Sequence, residues 1–248
     1  MNEWLDDFKT AIAFLTRLPV PQGATPTDFV RAQRMFPVVG ALIGAAVGLL
    51  CLGLRYVGVP DLAAAALALG AGAILTGALH EDGLADVADG FGGGRDPATK
   101  LEIMRDSRLG TYGALILLVS FVAKLSALAA LPDRHVVPSL IAAHALARGV
   151  LPLMSMKLPY ARKDGLAANA GRPDVATATA AAAFAFVIAL LSLSFTNALC
   201  AALMAGLSGA GMAWLAQRHI GGQTGDVLGA AEQIGETAIL VLLAARLG

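Results

Sequence analysis

The chain has 248 residues, 57% of them hydrophobic and 15% charged, with 18 Lys and Arg balanced by 18 Asp and Glu. A soluble domain carries about 25% charged residues, so this composition excludes a surface that faces water all round. Zero net charge gives no ground for a nucleic-acid partner, and the two cysteines, Cys51 and Cys200, sit in apolar runs without metal-ligand spacing and read as packing residues.

The N-terminus has no basic n-region and carries Glu3, Asp6 and Asp7, so no cleaved signal peptide is expected. Trp4, Phe8, Ala11, Ile12 and Leu15 recur at helical spacing, with Asp7 and Lys9 on other faces, which predicts an amphipathic helix in the membrane interface. Apolar runs then predict seven membrane-spanning helices near 35–54, 62–80, 112–131, 136–156, 176–195, 198–216 and 227–247. Gly40, Gly44 and Gly48 suit close helix approach in the first. The expected fold is an all-α polytopic helical bundle, a single membrane-embedded catalytic domain over 1–248, without a repeat that would suggest an inverted-repeat transporter.

Directly after the second span comes His80-Glu81-Asp82-Gly83-Leu84-Ala85-Asp86-Val87-Ala88-Asp89-Gly90. If this stretch is helical, Asp82, Asp86 and Asp89 share a face within an arc of about 60°. Unpaired, three such carboxylates repel one another, a cost that a divalent cation removes, and Mg²⁺ favours one or two carboxylates plus phosphate oxygens. A solvated polar face at a helix end is the bland alternative. Gly90, Phe91, Gly92, Gly93 and Gly94 follow, then Arg95, Lys100, Arg105, Ser107 and Arg108. A glycine run can bring backbone N–H groups to phosphate, and the cations can neutralise the remaining charge. A flexible connector would look the same.

Lys124, His144 and Arg148 fall within predicted spans, and the last span carries Glu232, Gln233 and Glu236 behind the polar opening Gly221-Gly222-Gln223-Thr224-Gly225-Asp226. Charges at such depth face a polar cavity or pair with one another, so Glu232, Glu236 and Arg148 are either substrate-binding groups or parts of a structural network. His80 and His144 each lack a second histidine at ligand spacing. Gly222, Gly225 and Gly229 share a face, as a close helix contact would require.

Orientation follows from the cationic residues. Lys9, Arg17, Arg31, Arg34, Arg95, Lys100, Arg105, Arg108, Lys157, Arg162, Lys163, Arg172 and Arg218 fall on one side, against only Arg55, Arg134 and Arg246 on the other. The positive-inside rule then places the N-terminus and the loops at 81–111, 157–175 and 217–226 in the cytoplasm. Nearly all acids fall on that side too, Asp61 and Asp133 being the exceptions.

The strings Phe14-Leu15-Thr16-Arg17-Leu18-Pro19-Val20-Pro21, Phe36-Pro37-Val38-Val39-Gly40, His80 to Gly93, Ile103-Met104-Arg105-Asp106-Ser107-Arg108-Leu109-Gly110-Thr111-Tyr112-Gly113 and Thr224-Gly225-Asp226-Val227-Leu228-Gly229-Ala230 closely resemble those of the cobalamin-5′-phosphate synthase family, also called adenosylcobinamide-GDP ribazoletransferase. The resemblance runs in order from near residue 10 to near residue 240 and is least distinctive around 157–200. It implies a multi-pass bacterial inner-membrane enzyme of late coenzyme B12 synthesis, with its active site facing the cytoplasm. Such an enzyme joins adenosylcobinamide-GDP to α-ribazole or its 5′-phosphate, releases GMP and is associated with Mg²⁺. Its partners would be these small molecules and the lipid bilayer, and a homo-oligomer is compatible with it.

On this chain the expected metal ligands are Asp82, Asp86 and Asp89, with Arg105 and Arg108 as phosphate clamps and Glu81 or Asp226 as proton acceptor. His80, Ser107, Arg148, Thr224, Glu232 and Glu236 complete the expected substrate site. A CDP-alcohol phosphotransferase also sets aspartates on helices and releases a nucleoside monophosphate. Its D-G-x2-A-R pattern fails here, because Asp86 and Val87 follow Asp82-Gly83 where Ala and Arg are needed. A transporter is a third reading and predicts a path open to both sides.

Overall fold

The computed structural model describes residues 3–20, 29–162 and 171–248, so Pro21 of the N-terminal motif and Lys163 of the cationic set lie outside it. Among the described residues every regular element is a helix, and a lone bridge joins Tyr160 to Gln223. In chain order these are α1 (Glu3–Leu15), α2 (Phe29–Ala32), a 3-10 turn (Gln33–Met35), α3 (Phe36–Tyr56), α4 (Asp61–Thr76), α5 (Leu79–Gly93) and α6 (Pro97–Ile103). Then follow α7 (Thr111–Ala130), α8 (Asp133–Lys157), α9 (Val175–Ser192), α10 (Phe195–Ile220) and α11 (Gly225–Leu247).

Six stretches, Phe29–Tyr56 and α7 to α11, are long and apolar enough to cross a bilayer, and α4 with α5 reaches that length only as a bent pair, so the count is six, or seven if that pair is one span, against the seven expected. The sequence placed one uninterrupted helix over 62–80, and here the chain differs. α4 stops at Thr76, Gly77 and Ala78 both take left-handed backbone (φ 67° and 54°), and α5 leaves at 91° to α4. Left-handed backbone is cheap for Gly77 but strained for Ala78. The bend is tied down by Arg17, whose N–H donates to the Leu75 carbonyl (2.8 Å) and whose guanidinium fills the space a Cβ on Gly77 would need. The 16 residues of α4 rise about 24 Å, a little less than the roughly 30 Å of a hydrocarbon core. α5, with four carboxylates in 15 residues, lies outside the apolar segments.

α8 is the central helix, packed against α3, α9, α10 and α11. Its approach to α3 is set by Gly40 and Gly44, where any side chain would overlap the His144 and Leu140 carbonyls. Without a hydrophobic drive between helices in lipid, such close packing is what holds a bundle together. Ala142, Ala143, Ala145 and Ala147 of α8 are fully or almost fully buried, whereas Leu49, Ile74, Leu118, Leu191 and Leu207 point outward into the bilayer.

α1 lies over one end of this bundle, with Ala11 and Leu15 wholly buried. Asp7, expected away from the apolar face of this helix, is also fully buried, held by Arg31 (3.1 Å) and Arg34 (2.7 Å). The two acids that broke the charge asymmetry have a local explanation at the opposite end. Arg55 bridges Asp61 (3.3 Å) and Asp133 (2.9 Å) and also donates to the Leu128 and Leu131 carbonyls.

Candidate active site

Two helix starts meet at the acid-bearing end. α5 and α11 touch through glycines: a Cβ on Gly83 would stand 2.8 Å from the Asp226 carbonyl, and one on Gly229 would stand 3.3 Å from the Cα of His80. This contact brings Asp226, far away in sequence, beside the acidic face of α5. Asp82 is exposed and Asp86 half-buried. Burial, then the charges of Asp82, Asp226 and Asp89, push the Asp86 carboxyl up to about 7. Among the described residues no ion pair ends on Asp82 or Asp86. Asp226 is held by Arg162 (3.2 Å) and by the Thr224 hydroxyl (3.1 Å).

Asp89 departs from the expected trio of metal ligands. Its two oxygens accept the backbone N–H groups of Gly110 (2.7 Å) and Gly113 (2.9 Å), so its carboxylate anchors the start of α7. Thr224, expected to bind substrate, is buried and caps α11, its Oγ1 accepting from the Val227 N–H (3.2 Å).

The glycine run also differs from expectation. Gly90 to Gly93 are the last turn of α5, not an open phosphate-binding loop. The missing side chains make room for neighbours: a Cβ on Gly90 would meet Met104 and the Lys100 carbonyl, and one on Gly92 the Tyr112 ring. Arg105 and Ser107 are exposed in the turn that follows α6. Arg108 is exposed as well, but its Nε lies 3.0 Å from Asp106, so its fork is already engaged by a neighbour.

Beneath the acidic face lies a closed ionic layer. Arg148 pairs with Glu232, Lys124 Nζ with Glu236 (3.1 Å) and Gln233 (2.7 Å), and His144 Nδ1 with Glu236 (2.9 Å). Gln233 Nε2 donates to Glu81 (3.2 Å), and His80 Nδ1 stands 3.4 Å from Arg148. Arg148, Glu232 and Glu236 are at most 2% exposed and pair with one another as the floor under α5, the arrangement of a structural network, while Arg148 and Glu236 also line a small cavity with His80, Glu81 and Lys124. Of this set His80 alone also lines the cavity described next. The ligand atoms of His144, Glu232 and Glu236 lie within 4.8 Å of one another, close enough to share a cation. The guanidinium of Arg148 and the ammonium of Lys124 already supply the positive charge there.

One cavity opens on the acidic face, with about 930 Å³ of empty space including its mouth. Its polar side is Asp82, Asp226 and Arg162, and its apolar side includes Phe14, Phe29 and Phe36. Glu81 instead lines cavities shared with Lys124 and Gln233. Arg162 was invisible as a site residue in the sequence. It sits in the least distinctive stretch, and only the return of α11 sets it against Asp226.

A family model described as cobalamin-5-phosphate synthase matches residues 7–244. The adenosylcobinamide-GDP ribazoletransferase of Bradyrhizobium diazoefficiens is 46% identical over 242 residues, covering 96% of this chain and 93% of that protein. The proteins of the same name from Azorhizobium caulinodans and Mesorhizobium japonicum are 45% and 43% identical, each over 98% of this chain and over 97% and 94% of their own lengths. No solved structure matches the chain.

Proposed function

The chain belongs to the cobalamin-5-phosphate synthase family, and on that premise we propose that it joins adenosylcobinamide-GDP to α-ribazole or its 5′-phosphate with release of GMP. In this reaction a ribazole hydroxyl oxygen bonds to the phosphorus nearest cobinamide. The bridging P–O bond breaks, GMP leaves with the bridging oxygen, and the hydroxyl proton passes to a base.

The observation that carries this reading is the convergence of Asp82, Asp226 and Arg162 on one cavity, next to the crowded carboxyl of Asp86. Asp82 and Asp86 are hard oxygen ligands on which no ion pair ends among the described residues, and they would suit Mg²⁺. Bound there, Mg²⁺ supplies neutralisation of the diphosphate and of the charge that develops on GMP. Arg162 adds a guanidinium at the same mouth, for phosphate or for Asp226. Asp226, lining the cavity, is the proton acceptor in preference to Glu81, which is turned toward the buried floor. Asp89 acts one step removed, by fixing α7 against α5. Arg105 and Ser107, exposed at the same end, contact the outer part of the diphosphate substrate.

The acid-bearing end faces the cytoplasm of a bacterial inner membrane in this reading, supported by the thirteen-to-three bias of Lys and Arg. The purified protein in liposomes, given adenosylcobinamide-GDP and α-ribazole 5′-phosphate, should release GMP with Mg²⁺ and release none after chelation. Substrate uptake into vesicles with no GMP formed would favour a transporter instead.

A further inference from the structure

The cavity has a second wall that phosphate chemistry does not use. Phe14 near the end of α1, Phe29 at the start of α2 and Phe36 at the start of α3 come together there. Their ring centroids are 4.7 Å apart for Phe14 and Phe29, 5.7 Å for Phe14 and Phe36, and 6.2 Å for Phe29 and Phe36. Phe14 and Phe36 are parallel to within 7°, with Phe29 edge-on to both. Gln33 and Ser155 add two polar groups to the same concavity. Apolar walls with a few placed polar groups are the ordinary make-up of a small-molecule site.

Resting on the transferase reading, we propose that this aromatic wall seats the heterocyclic base of α-ribazole, with its ribose directed at Asp226. The chemistry of the substrate parts selects among them. The corrinoid is rimmed by amides, whose donors and acceptors three phenylalanine rings would leave unpaired. Guanine carries donors and acceptors around its edge that phenylalanine would leave unsatisfied. A benzimidazole offers two flat apolar faces for stacking and one acceptor nitrogen, which the Gln33 amide or the Ser155 hydroxyl can meet. The ribose is bonded directly to that base, so the reacting hydroxyl must lie within the same cavity. Asp82, Asp226 and Arg162 are there to receive it.

The test is steady-state kinetics in liposomes with Phe29→Ala and Phe29→Leu, the second keeping apolar volume while removing the ring face. Stacking of a base on an aromatic ring is strong enough that Phe29→Ala should raise the KM for α-ribazole about tenfold or more. Phe29→Leu should raise it less. The KM for adenosylcobinamide-GDP and the kcat at saturation should stay within about twofold of wild type, which also reports an intact fold. An unchanged α-ribazole KM in both variants, or a parallel rise in both KM values, overturns the assignment. So does a KM that responds only to the acyl-chain length of the liposomes, since the cavity then holds lipid. If wild-type protein releases no GMP, the transferase reading fails and this one falls with it. Active wild type with an unmoved α-ribazole KM in the variants refutes the base seat alone.

Discussion

Asp86 is the residue where local electrostatics is most exposed to measurement. Its carboxyl is pushed up to about 7 by burial and by Asp82, Asp226 and Asp89, well above the ordinary aspartate range. A raised carboxyl pKa stabilises the fold while the group keeps its proton, and that contribution is lost as pH rises through about 7. Without divalent cations, the thermal stability of the detergent-solubilised protein should therefore fall between pH 5.5 and pH 8. Mg²⁺ should restore it at pH 8 and do little at pH 5.5, where protons already quench the repulsion. Asp86→Asn should flatten both responses. A rise in stability with pH, or an equal Mg²⁺ effect in Asp86→Asn, would refute this reading of the cluster. Asp89 could not have been separated from its neighbours by spacing. The sequence puts the three on one face, but only the position of Gly110 and Gly113 commits one of them to capping.

At the level of elements, the site depends on how closely α5 approaches α11. Gly83→Val would drive a side chain into the Asp226 carbonyl, a backbone atom that cannot step aside without moving the start of α11. Overpacking of this kind costs about 1–3 kcal/mol, and the displacement falls on Asp226 itself. Turnover in Gly83→Val should drop at least tenfold while the protein still inserts in the membrane. Gly53→Ala, with no atom near the added Cβ, should leave turnover unchanged. Equal activity in the two variants would contradict the packing argument. Hydropathy was enough to find the spans, because a helix facing lipid has to be apolar over its whole crossing. It could not find the break after Thr76, since Gly77-Ala78 sits in an apolar run and the turn is stabilised by Arg17 from another element. The glycines after Asp89 misled for a related reason. A glycine in sequence does not say whether it gives freedom or close contact.

For the whole molecule, the fold separates two kinds of charge. Asp61 and Asp133 share the Arg55 guanidinium at one end, while the carboxylates of α5 and Asp226 stay gathered near a cavity at the other. Orientation can be read with single cysteines in a Cys51→Ser, Cys200→Ser background. In intact inner-membrane-exposed cells, an impermeant maleimide should label Val57→Cys and spare Arg108→Cys until the membrane is opened. The reverse pattern would put the cavity on the wrong side for a cytoplasmic nucleotide substrate. The aromatic wall was the least legible feature in sequence, because Phe14, Phe29 and Phe36 belong to three elements and their motifs say nothing of a shared cavity.

The most direct measurement is the Mg²⁺ dependence of GMP release by liposome-embedded wild type, Asp82→Ala and Asp86→Ala. Wild type should need the ion, and each variant should lose nearly all turnover at every Mg²⁺ concentration while remaining folded and inserted. GMP release that persists without divalent cations, or near-normal rates in either variant, would contradict the claim that these carboxylates make the diphosphate bond breakable.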